Sequence, residues 1–326
     1  MTRRTTTGRD SATTHRARRS LLTVVLIVAC LVVIVGALSG HLGSGLFANT
    51  ANGPQAISPS TMATGACVAL PPTSGDNHRT IFLDAGHGGV DPGGVGTTES
   101  GQQVDESTVN LAIELDTSDL LRAQGYRVVV SRTADTTVVR LTPADLSDGV
   151  LSATGVHADV AARDICANLA KADALVGIYM DSSTSSADAG SVTVYDTARP
   201  FAAANQRLAQ IVQTDVLSAM NSQGWQIPDD GALPDAGYGS SVGGDSGSTL
   251  ADLAASYNHL LLIGPPLAGY FSTPSLMPGA VIEPLYLTDP FEGSIAATPG
   301  DQQVIAKGIA AAVEQFLAPV QSTPTS

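Results

Sequence analysis

The chain has 326 residues, with 43% apolar and only 14% charged positions, enough for one large globular domain or two small ones. Its formal net charge is −14, and residues 1–20 hold six arginines against one acid, so the remainder carries a net −19. An exported surface this acidic repels phosphate backbones and excludes a nucleic-acid role.

Residues 1–20 read as a cytoplasmic basic segment. Residues 21–38, LLTVVLIVACLVVIVGAL, contain no charge over 18 positions and follow Arg16, Arg18 and Arg19. That length and flank predict a membrane-spanning signal anchor over 21–40, with the N-terminus inside and the rest outside the cell membrane. A cleaved signal peptide is the competing reading, but its small-x-small site is poorly formed here. Residues 41–76 are rich in Gly, Ala, Ser, Thr and Pro without sustained period, and read as a flexible linker. The domain proper is expected over 77–320, with a short tail at 321–326.

From Arg79 the texture changes. TIFLD is a short buried strand, and it runs into FLDAGHGGVDPGGVG, residues 82–96, which holds six glycines around His87. Residues 107–124 carry apolar side chains at 109, 112, 113, 115, 120 and 121, a helical spacing that Gly125 closes as a C-cap. YRVVV (126–130) is a strand, 157–171 a helix, ALVGIY (174–179) and SVTVY (191–195) strands, and 201–220 a long helix. Residues 229–248 form a glycine-rich loop, read either as a lid or as a disordered segment. AVIEPLYL (280–287) is a strand and 301–317 a final amphipathic helix. Strands alternate with helices and several are continuously apolar. The pattern predicts a single α/β domain, a mostly parallel sheet with helices on both faces, preceded by the N-terminal transmembrane helix.

Two of the three cysteines, Cys67 and Cys166, lie in the exported part, where disulfides persist. Either they bridge the linker's end to the domain, or Cys166 is a buried free thiol on its helix.

In parallel sheets ligands gather at strand carboxyl ends, where His87, Tyr179, Asp181 and Glu283 fall. The glycine loop lacks both the GK[ST] ending of a phosphate loop and the dinucleotide spacing, which leaves a metal ligand or an ordinary turn histidine. Glu106 opens the helix after the loop and can turn back toward it, or simply serve the helix dipole. Glu283 lies mid-strand among apolar residues, where a carboxylate is costly unless paired, protonated or near a metal. No GxSxG elbow appears with a plausible triad, so a serine hydrolase is unsupported.

DAGHGG, then Glu106 four residues before Asn110, then YRVVVSRTAD, RDICANLAKADALVGIY, VIE and a helix beginning DQQVIAKGI resemble, in order and spacing, the zinc-dependent N-acetylmuramoyl-L-alanine amidases of the amidase-3 type. The resemblance covers about residues 79–318. It implies one zinc ion on His87 and Glu106, Glu283 as catalytic general base, and peptidoglycan as substrate. The family's third ligand is a histidine where this chain has Tyr179. Four outcomes follow: Tyr179 ligates through its phenol, Asp181 substitutes, His157 or His259 reaches in, or the domain binds wall peptides or regulates a partner without cutting. A protein activator and the stem-peptide specificity stay open.

Overall fold

The computed structural model describes residues 53–237, 253–254 and 256–319. The expected anchor at 21–40 lies outside them. Among the described residues no helix is long and apolar enough to cross a membrane.

The centre is an eight-stranded sheet. In chain order its strands are β1 (Gln55–Ala56), β2 (Ala66–Leu70), β3 (Thr80–Ala85), β6 (Arg127–Arg132), β9 (Ala174–Ile178), β10 (Ser191–Tyr195), β11 (Asp229–Pro234) and β12 (Gly279–Glu283). Across the sheet they run β1-β2-β6-β3-β9-β12-β10-β11. The four middle strands, β6, β3, β9 and β12, are mutually parallel. β2 is antiparallel to β6, and β10 is antiparallel to β12 but parallel to β11. Two small hairpins, β4–β5 (Val95–Thr97 and Gln103–Asp105) and β7–β8 (Leu146–Ser147 and Val150–Leu151), stand outside the sheet.

The helices are α1 (Glu106–Ala123), α2 (Ala153–Ala170), α3 (Ala202–Asn221), α4 (Pro290–Ala296) and α5 (Pro299–Leu317). Strand side chains alternate between faces. Ile81, Leu83, Val128, Val130, Val176 and Ile282 join α1, α3 and α5 in one core. Phe82, Val129, Leu175 and Val281 face the other way, toward Ala162, Cys166 and Ala167 of α2. Helices therefore cover both faces, as the alternating pattern predicted. Gly125 does follow α1 in the left-handed conformation, at φ +90°, with its N–H on the Arg122 carbonyl. Ser152 caps α2 by accepting from the Gly155 N–H, which starts that helix four residues before His157.

Two sequence readings are corrected. Residues 54–76 are not a tether: β2 pairs with β6 along Ala66–Leu70, and Ala66, Cys67 and Ala69 are buried. Small residues hid this strand, because its place against α2 needs little volume. The compact unit accordingly begins at Pro54 rather than 77. Residues 229–234 are likewise a strand, β11, held parallel to β10 despite two acids and a glycine; only 238–248 of that loop lie outside the described residues. Cys67 and Cys166 form a disulfide between β2 and α2.

Glu114 of α1 is fully buried beneath the β3 and β6 ends, where one carboxyl oxygen accepts from the Ala85 and Ser131 N–H groups and from Ser131 Oγ. Burial pushes its pKa from 4.5 up to about 8, against the pull of Arg132. The unfolded chain releases this proton near 4.5, the folded chain near 8. Its contribution to stability is therefore present below pH 4.5 and lost as pH rises to about 8. Glu114→Gln should flatten the pH dependence of the urea midpoint across that window; an unchanged slope would remove Glu114 as its source.

Candidate active site

Strands β3, β9 and β12 are neighbours and parallel, so their carboxyl ends lie side by side. His87 follows β3 by two residues, Tyr179 follows β9 directly, and Glu283 ends β12. The topology thus gathers three remote segments at one edge, as open α/β sheets do.

The loop bearing His87 is fixed by two arginines. Arg132 donates to the carbonyls of Ala85, Gly86 and Ser107, and Arg163 donates to those of Ala85 and His87. Arg163 is itself paired with buried Asp84 at 2.8 Å and Asp159 at 2.7 Å. His87 sits at φ +61°, a left-handed conformation that non-glycine residues seldom adopt. Its Nδ1 lies 2.8 Å from Asp91 Oδ2, which turns Nε2 toward Glu106 Oε1 at 3.3 Å.

Glu106 reaches the loop because the β4–β5 hairpin returns the chain to it. The first N–H groups of α1, from Glu106 and Ser107, bond to the Gly94 and Pro92 carbonyls. The Glu106 carboxylate accepts from the N–H groups of Gly94 and Met180 and from Asn110 Nδ2. Gly93 leaves the space these groups use: a Cβ there would come within 2.5 Å of Glu106 Oε2 and 2.6 Å of the His87 ring.

Electrostatics follow from this packing. Burial alone would lower the pKa of His87, but Glu106 and Asp91 outweigh it and raise it to about 10. Without a metal, the imidazolium lies between two carboxylates. Burial likewise works against ionised Glu106, yet His87 and the two backbone donors hold it below its usual range. Burial, then Asp181 and Glu106, push Glu283 up to about 8. Asp181 accepts from the Ser182 N–H and is itself raised by burial.

Tyr179 does not offer its phenol to this pair. Its hydroxyl donates to Asp84 at 3.1 Å, while its ring lies across Gly86 and meets the His87 ring edge-on at 5.5 Å. Burial beside Asp84 raises its pKa well above the ordinary value, so the phenol stays neutral. A neutral phenol engaged by a carboxylate is a poor ligand. Neither spare histidine reaches in. His157 packs against the rings of Tyr270 and Phe271, and His259 lies 3.0 Å from Asp196 and 3.2 Å from Asp235. Asp181 is the remaining candidate for a third ligand, its Oδ1 held by the Ser182 N–H.

The cleft over these residues has a volume of about 280 Å³, with Val156, Val160, Leu260, Leu261 and Leu262 on its apolar wall and His87, Glu106 and Glu283 on its polar floor. A zinc ligand histidine commonly donates its second N–H to a carboxylate, and Asp91 on His87 has that form. Bonds of about 2.0–2.2 Å in a tetrahedron also separate neighbouring ligand atoms by roughly 3.3 Å. His87 and Glu106 fit such an ion on both counts; Tyr179 does not.

Asp91 and Arg163 are the site residues that sequence reading passed over. An acid four positions after a loop histidine was the available signal for Asp91. Nothing local marked Arg163, whose partners lie up to 79 residues away. Asp91→Asn should weaken zinc binding by about 10–100-fold while leaving the fold intact, measured by competition with a chromogenic chelator. Unchanged affinity would mean that Asp91 only stabilises the metal-free loop.

These features define an α/β domain with a histidine–carboxylate cleft at the carboxyl ends of its parallel strands. The profile of the Amidase_3 family, N-acetylmuramoyl-L-alanine amidase, matches residues 81–315, and the chain belongs to that family. An N-acetylmuramoyl-L-alanine amidase from Clostridium difficile 630 is 25% identical at a TM-score of 0.50, covering 75% of this chain and 100% of that one. The CwlD amidase of Clostridioides difficile, solved in complex with the GerS lipoprotein, is 19% identical at a TM-score of 0.53, covering 74% and 99%. That likeness is one of fold. The uncharacterized protein YqiI of Bacillus subtilis (strain 168) is 29% identical over 146 residues, 44% of this chain and 57% of that protein. The chain therefore spans little more than half the length of this curated relative.

Proposed function

We propose that the chain hydrolyses the amide between N-acetylmuramic acid and the L-alanine of the peptidoglycan stem peptide. The observation that carries this reading is the meeting of His87 Nε2 and Glu106 Oε1, 3.3 Å apart, in the same cleft as the Glu283 carboxyl. His87 and Glu106 would hold a zinc ion, which when bound supplies Lewis acidity at the amide carbonyl and a more acidic water.

The chain's own residues do the rest. Asp91 orients His87, and three N–H donors fix Glu106. Glu283 takes the proton of the attacking water and hands it to the departing L-alanine amine. Glu283 starts this sequence ionised; a pKa raised by burial makes that carboxylate a stronger base toward water, and the carboxylic acid it becomes is the donor to the amine.

A second reading has one observation in its favour: the Tyr179 hydroxyl is committed to Asp84. On that reading the domain binds wall peptides, or regulates a partner, without cutting. Zinc content and release of stem peptides from purified peptidoglycan decide between them. One zinc per chain lost in His87→Ala, together with free stem peptides, supports the hydrolase. Retention of both peptide and glycan in one polymer, with no zinc at His87, supports the binding domain. Tyr179→Phe should leave zinc affinity at this site unchanged, whereas Tyr179→His should raise it at least tenfold. A loss of zinc in Tyr179→Phe would show that the phenol turns to the metal after all.

The Cys67–Cys166 bridge supports placement of the domain outside the cell membrane, anchored through 21–40. Protease added to intact cells should then remove the domain; full protection would sink that placement.

A further inference from the structure

A second constellation lies at the other end of the sheet. Val192, near the start of β10, pairs with Glu283, so the end of β10 points away from the His87 cleft. Asp196 comes four residues after Val192, roughly 13 Å along an extended strand. Asp235 follows β11, which runs parallel to β10, and so arrives at the same place. Both aspartates are completely buried. His259 faces them, with its Nδ1 at 3.0 Å from Asp196 Oδ2 and at 3.2 Å from both carboxyl oxygens of Asp235.

The backbone has fixed each carboxylate for this meeting. Asp196 Oδ1 accepts from the Ala198 and Arg199 N–H groups, and Asp235 Oδ2 accepts from the Leu260 N–H. Asp196 Oδ2 is buried and meets only His259 Nδ1, outside hydrogen-bond geometry. It is aimed at a nitrogen already shared by two oxygens of Asp235. One Nδ1 proton cannot satisfy three carboxyl oxygens. The nearby Arg199 guanidinium adds positive charge beside Asp196 but gives it no hydrogen bond, donating instead to the carbonyls of Gly264 and Ser275. Two desolvated carboxylates therefore share one imidazole N–H, and a divalent cation would bond all three groups at once.

We propose that Asp196, Asp235 and His259 form a second divalent-cation site, separate from the His87 cleft, that takes zinc or a similar first-row ion. The donor set of one imidazole and two carboxylates suits such ions. The nitrogen-to-oxygen separations approach the roughly 3.3 Å edge of a tetrahedral zinc sphere. The ion displaces the proton of His259 Nδ1 and ties that nitrogen to both aspartates. Its role is structural. The ion ties His259 to the ends of β10 and β11. The residues next to His259, Leu260 to Leu262, form the apolar wall of the His87 cleft. Loading the second site therefore fixes one wall of the first.

This inference does not rest on the amidase reading, and the test separates the two. The full chain, purified in detergent and stripped with chelator, is dialysed against zinc, and metal is counted by mass spectrometry. His87→Ala silences the first site. That variant should still bind one zinc, with a rise in Tm, and adding Asp196→Asn or His259→Ala should weaken the remaining zinc at least tenfold and abolish the rise. Asp196→Asn keeps size and shape, and circular dichroism checks its fold. Zinc absent from His87→Ala, or undiminished in both double variants, overturns the proposal. An anomalous-scattering map at the zinc edge tests the same site without substitution: a peak between Asp196 and His259 supports it and the absence of one refutes it. One zinc in the unmodified chain that survives His87→Ala but not His259→Ala would uphold this site and defeat the zinc assignment at His87.

Discussion

Glu283→Gln should cut the hydrolysis of muramoyl-L-alanine by about 10²–10⁴-fold, the usual contribution of a positioned acid–base group. The glutamine keeps the shape of the side chain and its place at the end of β12. It cannot carry a proton from water to amine. Zinc content and thermal midpoint should stay near those of the unmodified chain, because His87 and Glu106 do not depend on Glu283 for their position. The neutral side chain also removes a carboxyl that burial disfavours in its charged form, so a small gain in stability above pH 8 is expected. The measurement is stem-peptide release against time, with zinc counted on the same sample. Full turnover in the variant would move the proton-transfer role elsewhere, with Asp181 the next group in reach. Loss of zinc with turnover kept would mean that the roles are exchanged.

The second large effect is on stability. The Cys67–Cys166 bridge spans 99 residues of sequence. A loop of that size corresponds to about 4–5 kcal/mol in the chain-entropy account, and native bridges commonly deliver about 2–5 kcal/mol. Replacing both cysteines by serine should lower unfolding stability by about that amount. The loss should be read from urea midpoints of the unmodified and doubly substituted proteins. Reduction of the unmodified protein should reproduce much of it. The position matters as much as the loop: both cysteines are fully buried between β2 and α2, so the serine hydroxyls also enter an apolar layer. A change below about 0.5 kcal/mol would show that β2 is held by its ladder with β6 alone.

Much of the architecture was legible. Ile81, Leu83, Val128, Val130 and Val176 are branched or bulky residues in short apolar runs, and each run became a central strand. The α1 and α5 helices announced themselves by spacing, and Gly125 by its place after α1. The edges were not legible. β2 is ACVAL, and β11 carries Asp229, Asp230 and Gly231. β11 is an edge strand held by one neighbour, and β2 lies beside the two-residue β1, so backbone pairing holds both without strand-like side chains.

The site divides in the same way. His87 and Glu106 stood out because glycines and a helix start frame them, and Glu283 because an acid in an apolar strand is expensive. Asp91 lay in plain view, but its value depends on which ring nitrogen faces the pocket. Tyr179 could not be judged from sequence. Its two neighbours, Asp84 and His87, lie more than 90 residues away, and only the adjacency of β3 and β9 brings them to it. Arg163 was silent for the same reason, and so were Asp196, Asp235 and His259, which come from three separate segments.

The sequence by itself determined the local states: which stretches run extended, where helices begin, and which residue types stand at strand ends. Those follow from dihedral preferences and from the burial of apolar periods, both properties of near neighbours in the chain. Only the tertiary structure decided which strand ends meet, which oxygen the Tyr179 hydroxyl takes, and where a buried carboxylate finds its counter-charge. Such choices are made between atoms remote in sequence, at separations of about 3 Å, where one strand out of order would cancel them.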